Sequence, residues 1–190
     1  MLGVVLDRRL AFDKHVLVVT RSCNFRAQTI CHIRHLLSTD MAHTLACSRI
    51  LTRLDYCNSI VHGTPVSSIQ KLQRVQNNAA RIVLQAPRRS HAKPLMRQLH
   101  WLPVQHRIDS KVSVLTYKTL NMSVPQYLSQ RINRRVNART LRSTATPLII
   151  QPFSRIDFAK RSFRCAICLE LTSCVLYVIG SDSMSVSNLG

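Results

Sequence analysis

Eight acidic side chains, Asp7, Asp13, Asp40, Asp55, Asp109, Asp157, Glu170 and Asp182, are all the carboxylates this 190-residue chain offers for cation binding or proton transfer. Two-metal phosphoryl transfer needs carboxylates clustered closely enough to hold cations about 4 Å apart. No two of the eight are adjacent, and most lie within two residues of an Arg or Lys. Asp55 is expected to accept hydrogen bonds from Arg53 or a helix N-terminus, and Asp7 to belong to a turn. Gly3, Gly63, Gly180 and Gly190 are the only glycines, too scattered for a phosphate-cradling loop. Cys31, His32 and His35 have spacings that allow a metal, but Cys23 would have to fold back two helical turns to join them, so they read as core or surface helix residues. Cys165-x-x-Cys168 with Cys174 lacks a fourth zinc ligand, because no His follows His106 and no Cys lies between Cys57 and Cys165. Those thiols read as buried residues of an apolar segment. The residues therefore predict no catalytic site, no metal and no cofactor.

The basic side chains are the more informative set. Lys and Arg number 27, giving a formal net charge of +19. Charge of that size disfavours a compact chain unless a polyanion is present, and points to nucleic acid first and an anionic membrane surface second. Residues 1–87 hold 11 Lys/Arg against 4 Asp, whereas residues 88–142 hold 12 against Asp109 alone. Three groups stand out as candidate phosphate contacts: Lys71, Arg74 and Arg81; Arg88, Arg89, Lys93 and Arg97; and Arg131, Arg134, Arg135, Arg139 and Arg142. Arginine adds a forked donor suited to phosphate oxygens. Aromatic residues make up 5% of the chain, so base stacking is not a theme, and Trp101 reads as a core anchor.

These side chains must be positioned by helices. The opening Leu2-Gly3-Val4-Val5-Leu6 reads as a short strand and Asp7 to Asp13 as a turn. Helical periodicity runs from about Lys14 to Leu37, although Val16–Val19 is β-branched, and again from Thr39 or Asp40 to about Ile60, with Leu45, Ile50, Leu51, Leu54 and Cys57 on one face. Ser67 with Gln70 three residues later predicts a capping box. The following amphipathic helix would bury Ile69, Leu72, Val75, Ala79, Ile82 and Val83 and end at Pro87. Arg88–Lys93 reads as a basic connector and Pro94–Leu99 as a short helix. A long helix then starts with Pro103 near its first position and turns Val104, Ile108, Val112, Leu115 and Thr119 inward. Val124-Pro125 and Tyr127-Leu128 suggest a short element, Arg131–Thr146 an exposed basic segment, SCVLYVIG a strand, and the Ser-rich tail a frayed end.

The expected fold is thus mainly α: a helical, bundle-like region preceded by one short residual β-strand, with no fold assigned to the C-terminal segment. The division expected is 1–13 strand and turn, 14–87 helical region, 88–142 basic helical region and 143–190 divergent tail. No apolar run is long enough to span a bilayer. Asp7 and the Arg8-Arg9 pair interrupt the opening apolar residues, so no signal peptide is read there. An odd set of seven Cys fits a reducing compartment, which predicts an intracellular, cytoplasmic or nuclear protein.

The strings LGVVLDRRLAFDKHV, LTRLDYCNSIVHGTP, IQKLQRVQNNAARIV, LHWLPVQHRIDSKVSVLTYKTLN, PQYLS and RTLRSTA, in this order, carry a more specific signal. Over roughly residues 1–163 the chain resembles the C-terminal part of reverse transcriptases from non-LTR (LINE-type) retrotransposons, especially the jockey and chicken-repeat groups. The resemblance implies the end of a polymerase palm followed by its thumb and the region beyond, which grips template and primer. It implies RNA or an RNA–DNA hybrid as partner, and catalytic aspartates in an upstream aromatic-x-Asp-Asp turn that this sequence lacks. After Arg161-Ser162-Phe163 the family continues toward a Trp-Asn-x-Leu-Pro string, where this chain reads RCAICLELTSC.

The function expected is therefore non-catalytic contact with nucleic acid as part of a retrotransposon RNA-directed DNA polymerase. Two alternatives stand beside it: a decayed, mobile-element-derived polypeptide without a selected molecular function, and a basic protein-interaction or membrane-surface module. The sequence sets no oligomeric state.

Overall fold

A computed structural model of the chain describes residues 3–8, 11–130, 132, 150, 153, 155, 157–163 and 165–168. The expected strand at SCVLYVIG, the frayed tail and nearly all of the basic segment 131–146 lie outside these residues. The described residues are mainly helical. Compact packing divides the chain into two units, 1–110 and 111–190.

In the first unit, α1 runs Asp13–Ile33 and continues into a 3-10 turn, Arg34–Leu36. Its buried face, Val16, Val19, Cys23, Ala27 and Ile30, steps by three or four residues, as a helix facing a core requires. Val16 and Val19 lie on that face, so burial offsets the modest helical cost of their β-branching. A long helical stretch follows: α2 (Thr39–Ala46), a π-helical turn (Cys47–Leu51) and α3 (Thr52–Asp55). Ser38 caps α2, its hydroxyl accepting from the Met41 N–H at 3.3 Å. The π-turn rotates the apolar face, so Ala42, Ala46, Ile50, Leu51 and Leu54 are buried while the expected Leu45 and Cys57 are only half-buried. Asn58–Val61 forms a 3-10 turn, and α4 spans Val66–Val83 and lies along α1. Ala79 and Ala80 of α4 and Cys23 and Ala27 of α1 are all essentially inaccessible. Small side chains of this kind let helix backbones approach closely. Next comes α5, Ala92–Gln98, packed against α4.

The expected N-terminal strand is not formed. No strand occurs among the described residues, and Gly3–Asp7 is irregular. Gly3 has φ of +63°, outside the extended region, and a Cβ there would meet the Tyr56 ring at 3.3 Å. The Val5 N–H, which a neighbouring strand would have used, donates instead to His15 Nδ1 at 3.3 Å. Val4, Val5 and Leu6 have the propensity for a strand, but a strand exists only by pairing, and no described segment pairs with this one.

The helix ends also differ from the sequence reading. Pro65 precedes the first residue of α4 and no side chain caps it; Ser67 is exposed, and the Ser68 hydroxyl is buried and donates to Asp13 Oδ1 at 2.9 Å. The capping box is replaced by a tie between the starts of α1 and α4. At the other end α4 stops at Val83, ahead of Pro87, because Gln85 takes φ of +52° and the Ala86 N–H closes back on the Arg81 carbonyl at 2.9 Å. His100 ends α5 the same way, with φ of +54° and the Trp101 N–H on the Met96 carbonyl at 2.8 Å. Neither left-handed position holds the usual glycine.

The helix α6 runs Val104–Asn121, beginning in the first unit and ending in the second. Within the first unit it buries Val104 and Ile108; within the second it buries Val112, Thr116 and Thr119, while Leu115 is half-buried. The second unit also contains α7 (Gln126–Ser129) and α8 (Asp157–Lys160). Cys165, Ala166 and Ile167 are buried in it. None of the described helices is long and apolar enough to cross a membrane.

Candidate nucleic-acid interface

Two opposite demands shape α4. Leu72, Val75, Ala79 and Val83 are buried, whereas Arg74 and Asn78 are exposed and Lys71 and Arg81 are half-buried. A third, polar stripe runs between these faces, with Gln76 buried and Gln73 and Asn77 half-buried. Gln76, fully buried, donates from Nε2 to the Leu102 carbonyl at 2.8 Å. Gln73 accepts the Val104 N–H on Oε1 at 2.9 Å and donates to Asn77 Oδ1 at 2.8 Å. The N-terminus of α6 is therefore capped from another helix, and the QRVQNN and LPV strings of the sequence are one hydrogen-bonded unit. Trp101 is buried beside this unit, as expected of a core anchor, and its indole N–H donates to His43 Nε2 at 3.0 Å.

The link from α4 to α5 carries the second basic group. The Ser90 N–H bonds the Pro87 carbonyl at 3.0 Å, which folds residues 87–90 into a turn with Arg88 and Arg89 exposed at its centre. Arg81 holds this turn against the helix, its Nε donating to the Ser90 carbonyl at 3.1 Å. Lys93 and Arg97 are exposed on α5. Lys71, Arg74, Arg81, Arg88, Arg89, Lys93 and Arg97 thus lie on three consecutive elements, α4, the 87–90 turn and α5. Arg131, Arg134, Arg135, Arg139 and Arg142 lie outside the described residues. No Asp or Glu occurs between Asp55 and Asp109, so this stretch supplies no carboxylate of its own.

Other arginines have structural positions that their spacing does not reveal. Arg34 is 8% exposed and donates to the carbonyls of Leu37 (2.6 Å), Ile82 (3.2 Å) and Val83 (2.7 and 3.0 Å). A cation there meets the negative end of the α4 dipole and supplies a donor to the terminal Val83 carbonyl. Arg107 makes a two-pronged ion pair with Asp55, one arm at 2.8 Å, and the carboxylate raises the arginine pKa further. Asp55 also accepts from Asn58 at 3.4 Å, so its partners are Arg107 and Asn58 rather than Arg53 or a helix N-terminus. Arg53 lies over the Tyr56 ring at 5.8 Å. Asp7 accepts from the Phe12 N–H at 3.3 Å.

Beside the basic stretch, the C-terminal ends of α1 and α4 enclose a cleft of about 480 Å³. Gln28, Asn78, Arg81, Ile82, Gln85 and Arg88 contribute to its lining, and no lining residue is acidic. A second groove, about 530 Å³ and largely apolar, runs between α1 and the α2 region and is lined by Phe25, Arg26, Ile33, Leu45 and Arg49 among others.

The thiols and imidazoles form no metal site among the described residues. Cys31, His32 and His35 are all exposed. Cys23 is fully buried beside the Ile50 carbonyl, and burial pushes its pKa up to about 11. Burial also raises the pKa of Cys47, whose Sγ lies 3.6 Å from His43 Nε2.

What fold and geometry define together is a mainly helical chain whose α4–α5 stretch is basic and carries no carboxylate. No family model, no curated protein and no solved structure matches it.

Proposed function

We propose that the chain contacts nucleic acid without catalysing a reaction on it, through the basic stretch of α4, the 87–90 turn and α5. The carrying observation is that Arg74, Arg88, Arg89, Lys93 and Arg97 are exposed on neighbouring elements with no acidic residue between Asp55 and Asp109 to neutralise them. Phosphates are the natural counter-charge for such a surface, and the counterions they release make the contact favourable. The resemblance to the region after the palm of LINE-type reverse transcriptases supports an RNA–DNA hybrid as the duplex held. In that setting the chain positions template and primer while aspartates elsewhere in the enzyme perform nucleotide transfer. Fluorescence anisotropy with a labelled RNA–DNA hybrid tests this reading. The logarithm of the affinity should fall linearly with the logarithm of salt concentration, and the double substitution R88E/R89E should weaken binding and make that slope shallower. No binding at low salt, or binding indifferent to salt, would refute it.

The protein-interaction reading is favoured by one observation, the apolar groove flanked by Arg26 and Arg49, where Phe25 is 71% exposed. Those residues suit an amphipathic helix that pairs apolar anchors with carboxylates. Titration with an acidic amphipathic peptide against wild type and F25S separates it from the nucleic-acid reading, which F25S leaves untouched.

A further inference from the structure

The cleft between the C-terminal ends of α1 and α4 lies within the first unit and is chemically unlike the open basic surface beside it. Besides Cys31 and His35, its lining combines three kinds of group. Arg81 spends its Nε on the Ser90 carbonyl, leaving the donors of its two terminal nitrogens, and Arg88 stands exposed on the adjoining turn. Gln28, Asn78 and Gln85 place side-chain amides along the walls, each residue exposed. Ile82 adds an apolar side chain to the lining.

Arg34 also lines the cleft, but its hydrogen bonds run to the Ile82, Val83 and Leu37 carbonyls and the Thr39 hydroxyl, so it braces the wall and leaves anion binding to Arg81 and Arg88. The volume of about 480 Å³ lies in the range of sites that hold small organic ligands and far exceeds what a lone phosphate fills. Amides supply a donor and an acceptor side by side, the pattern that reads the Watson–Crick edge of a nucleobase. In a duplex that edge is occupied by the complementary base, so only an unpaired nucleotide can offer it to a cleft.

We propose that this cleft seats one unpaired nucleotide of a nucleic-acid strand, with its phosphate between Arg81 and Arg88 and its base over Ile82 within reach of Asn78 and Gln85. The inference rests on the nucleic-acid reading above and adds to it a single-strand site. It makes base preference a property of the cleft and duplex affinity a property of the open surface.

Anisotropy titrations of the full chain at fixed low salt test it, using labelled single-stranded RNA homopolymers and an RNA–DNA hybrid. N78A alters the cleft alone, R88A both the cleft and the surface it borders, and R74A and R97A the surface outside the cleft; circular dichroism confirms that each variant is folded. N78A should weaken single-strand binding about tenfold for the preferred base and leave the hybrid unchanged. R88A should weaken single strands of every base. A mononucleotide should compete with the single strand, whereas equimolar inorganic phosphate should not. If N78A and R88A match wild type on every single strand while R74A and R97A weaken binding, the cleft proposal fails and the surface reading stands. Failure of the wild-type chain to bind any hybrid, with mononucleotide still bound and lost in R88A, would sink the surface reading and keep the cleft.

Discussion

Arg34 is almost wholly buried, and its hydrogen bonds go to carbonyl and hydroxyl oxygens rather than to a carboxylate. Removing it would leave the Val83 and Leu37 carbonyls without this donor, while the Ile82 carbonyl keeps the Gln85 N–H. R34A should therefore cost roughly 2–4 kcal/mol, and R34K, which cannot reproduce the fork, should recover only part of it; urea denaturation measures both. His15 makes the opposite kind of demand. Burial first, and the Arg53 charge second, lower its pKa below the ordinary 6.5, and its Nδ1 is occupied as the acceptor of the Val5 N–H. The unfolded chain thus takes up a proton at a higher pH than the folded chain. Stability is full above about pH 6.5 and declines as pH falls from there through the lower folded value. Denaturation midpoints should fall across that window in wild type and change less in H15Q, which keeps an acceptor but does not titrate.

At the scale of elements, side-chain amides tie α4 to the start of α6. Gln76 and Gln73 bond the Leu102 carbonyl and the Val104 N–H, so the α6 N-terminus depends on amides 26 and 31 residues earlier in the chain. Replacing Gln76 by Leu, although apolar and of similar size, would leave the Leu102 carbonyl unpaired. Q76L is expected to cost about 1–3 kcal/mol, and Q73A a similar amount. Because Gln73 also donates to Gln76 Oε1 at 3.2 Å, the double variant should cost less than the two single costs added together. Equality with that sum would show two independent contacts. The sequence made α4 itself legible through its apolar stripe, but its third, amide face was hidden. Gln73, Gln76 and Asn77 are polar at helical spacing, and nothing local distinguishes a buried polar stripe from a solvated one.

For the whole molecule, a net charge of +19 penalises the folded state unless anions are bound. Polyanions that bind the folded chain in preference to the unfolded one raise its melting temperature by mass action. Added RNA should therefore raise Tm at low salt, and the shift should vanish as salt screens the surface; a Tm independent of RNA at low salt would count against any polyanion partner. The R88E/R89E chain should show a smaller shift than wild type.

Composition, periodicity and turn residues determined the helical class, the places of α1, α4, α5 and α6, the burial of Trp101 and the basic character of the α4–α5 stretch. Each depends on residues close in sequence, where a 3.6-residue repeat or a count of charges is a sufficient signal. Tertiary structure alone decided the rest. It turned Val4–Leu6 from an expected strand into irregular chain, because strand formation depends on a distant partner. It set Asp55 against Arg107 instead of Arg53, since ion pairs form by proximity in space. It also sorted the arginines, sending Arg34 to the end of α4 and leaving Arg88 at the mouth of a cleft, a distinction that two identical side chains cannot carry in sequence.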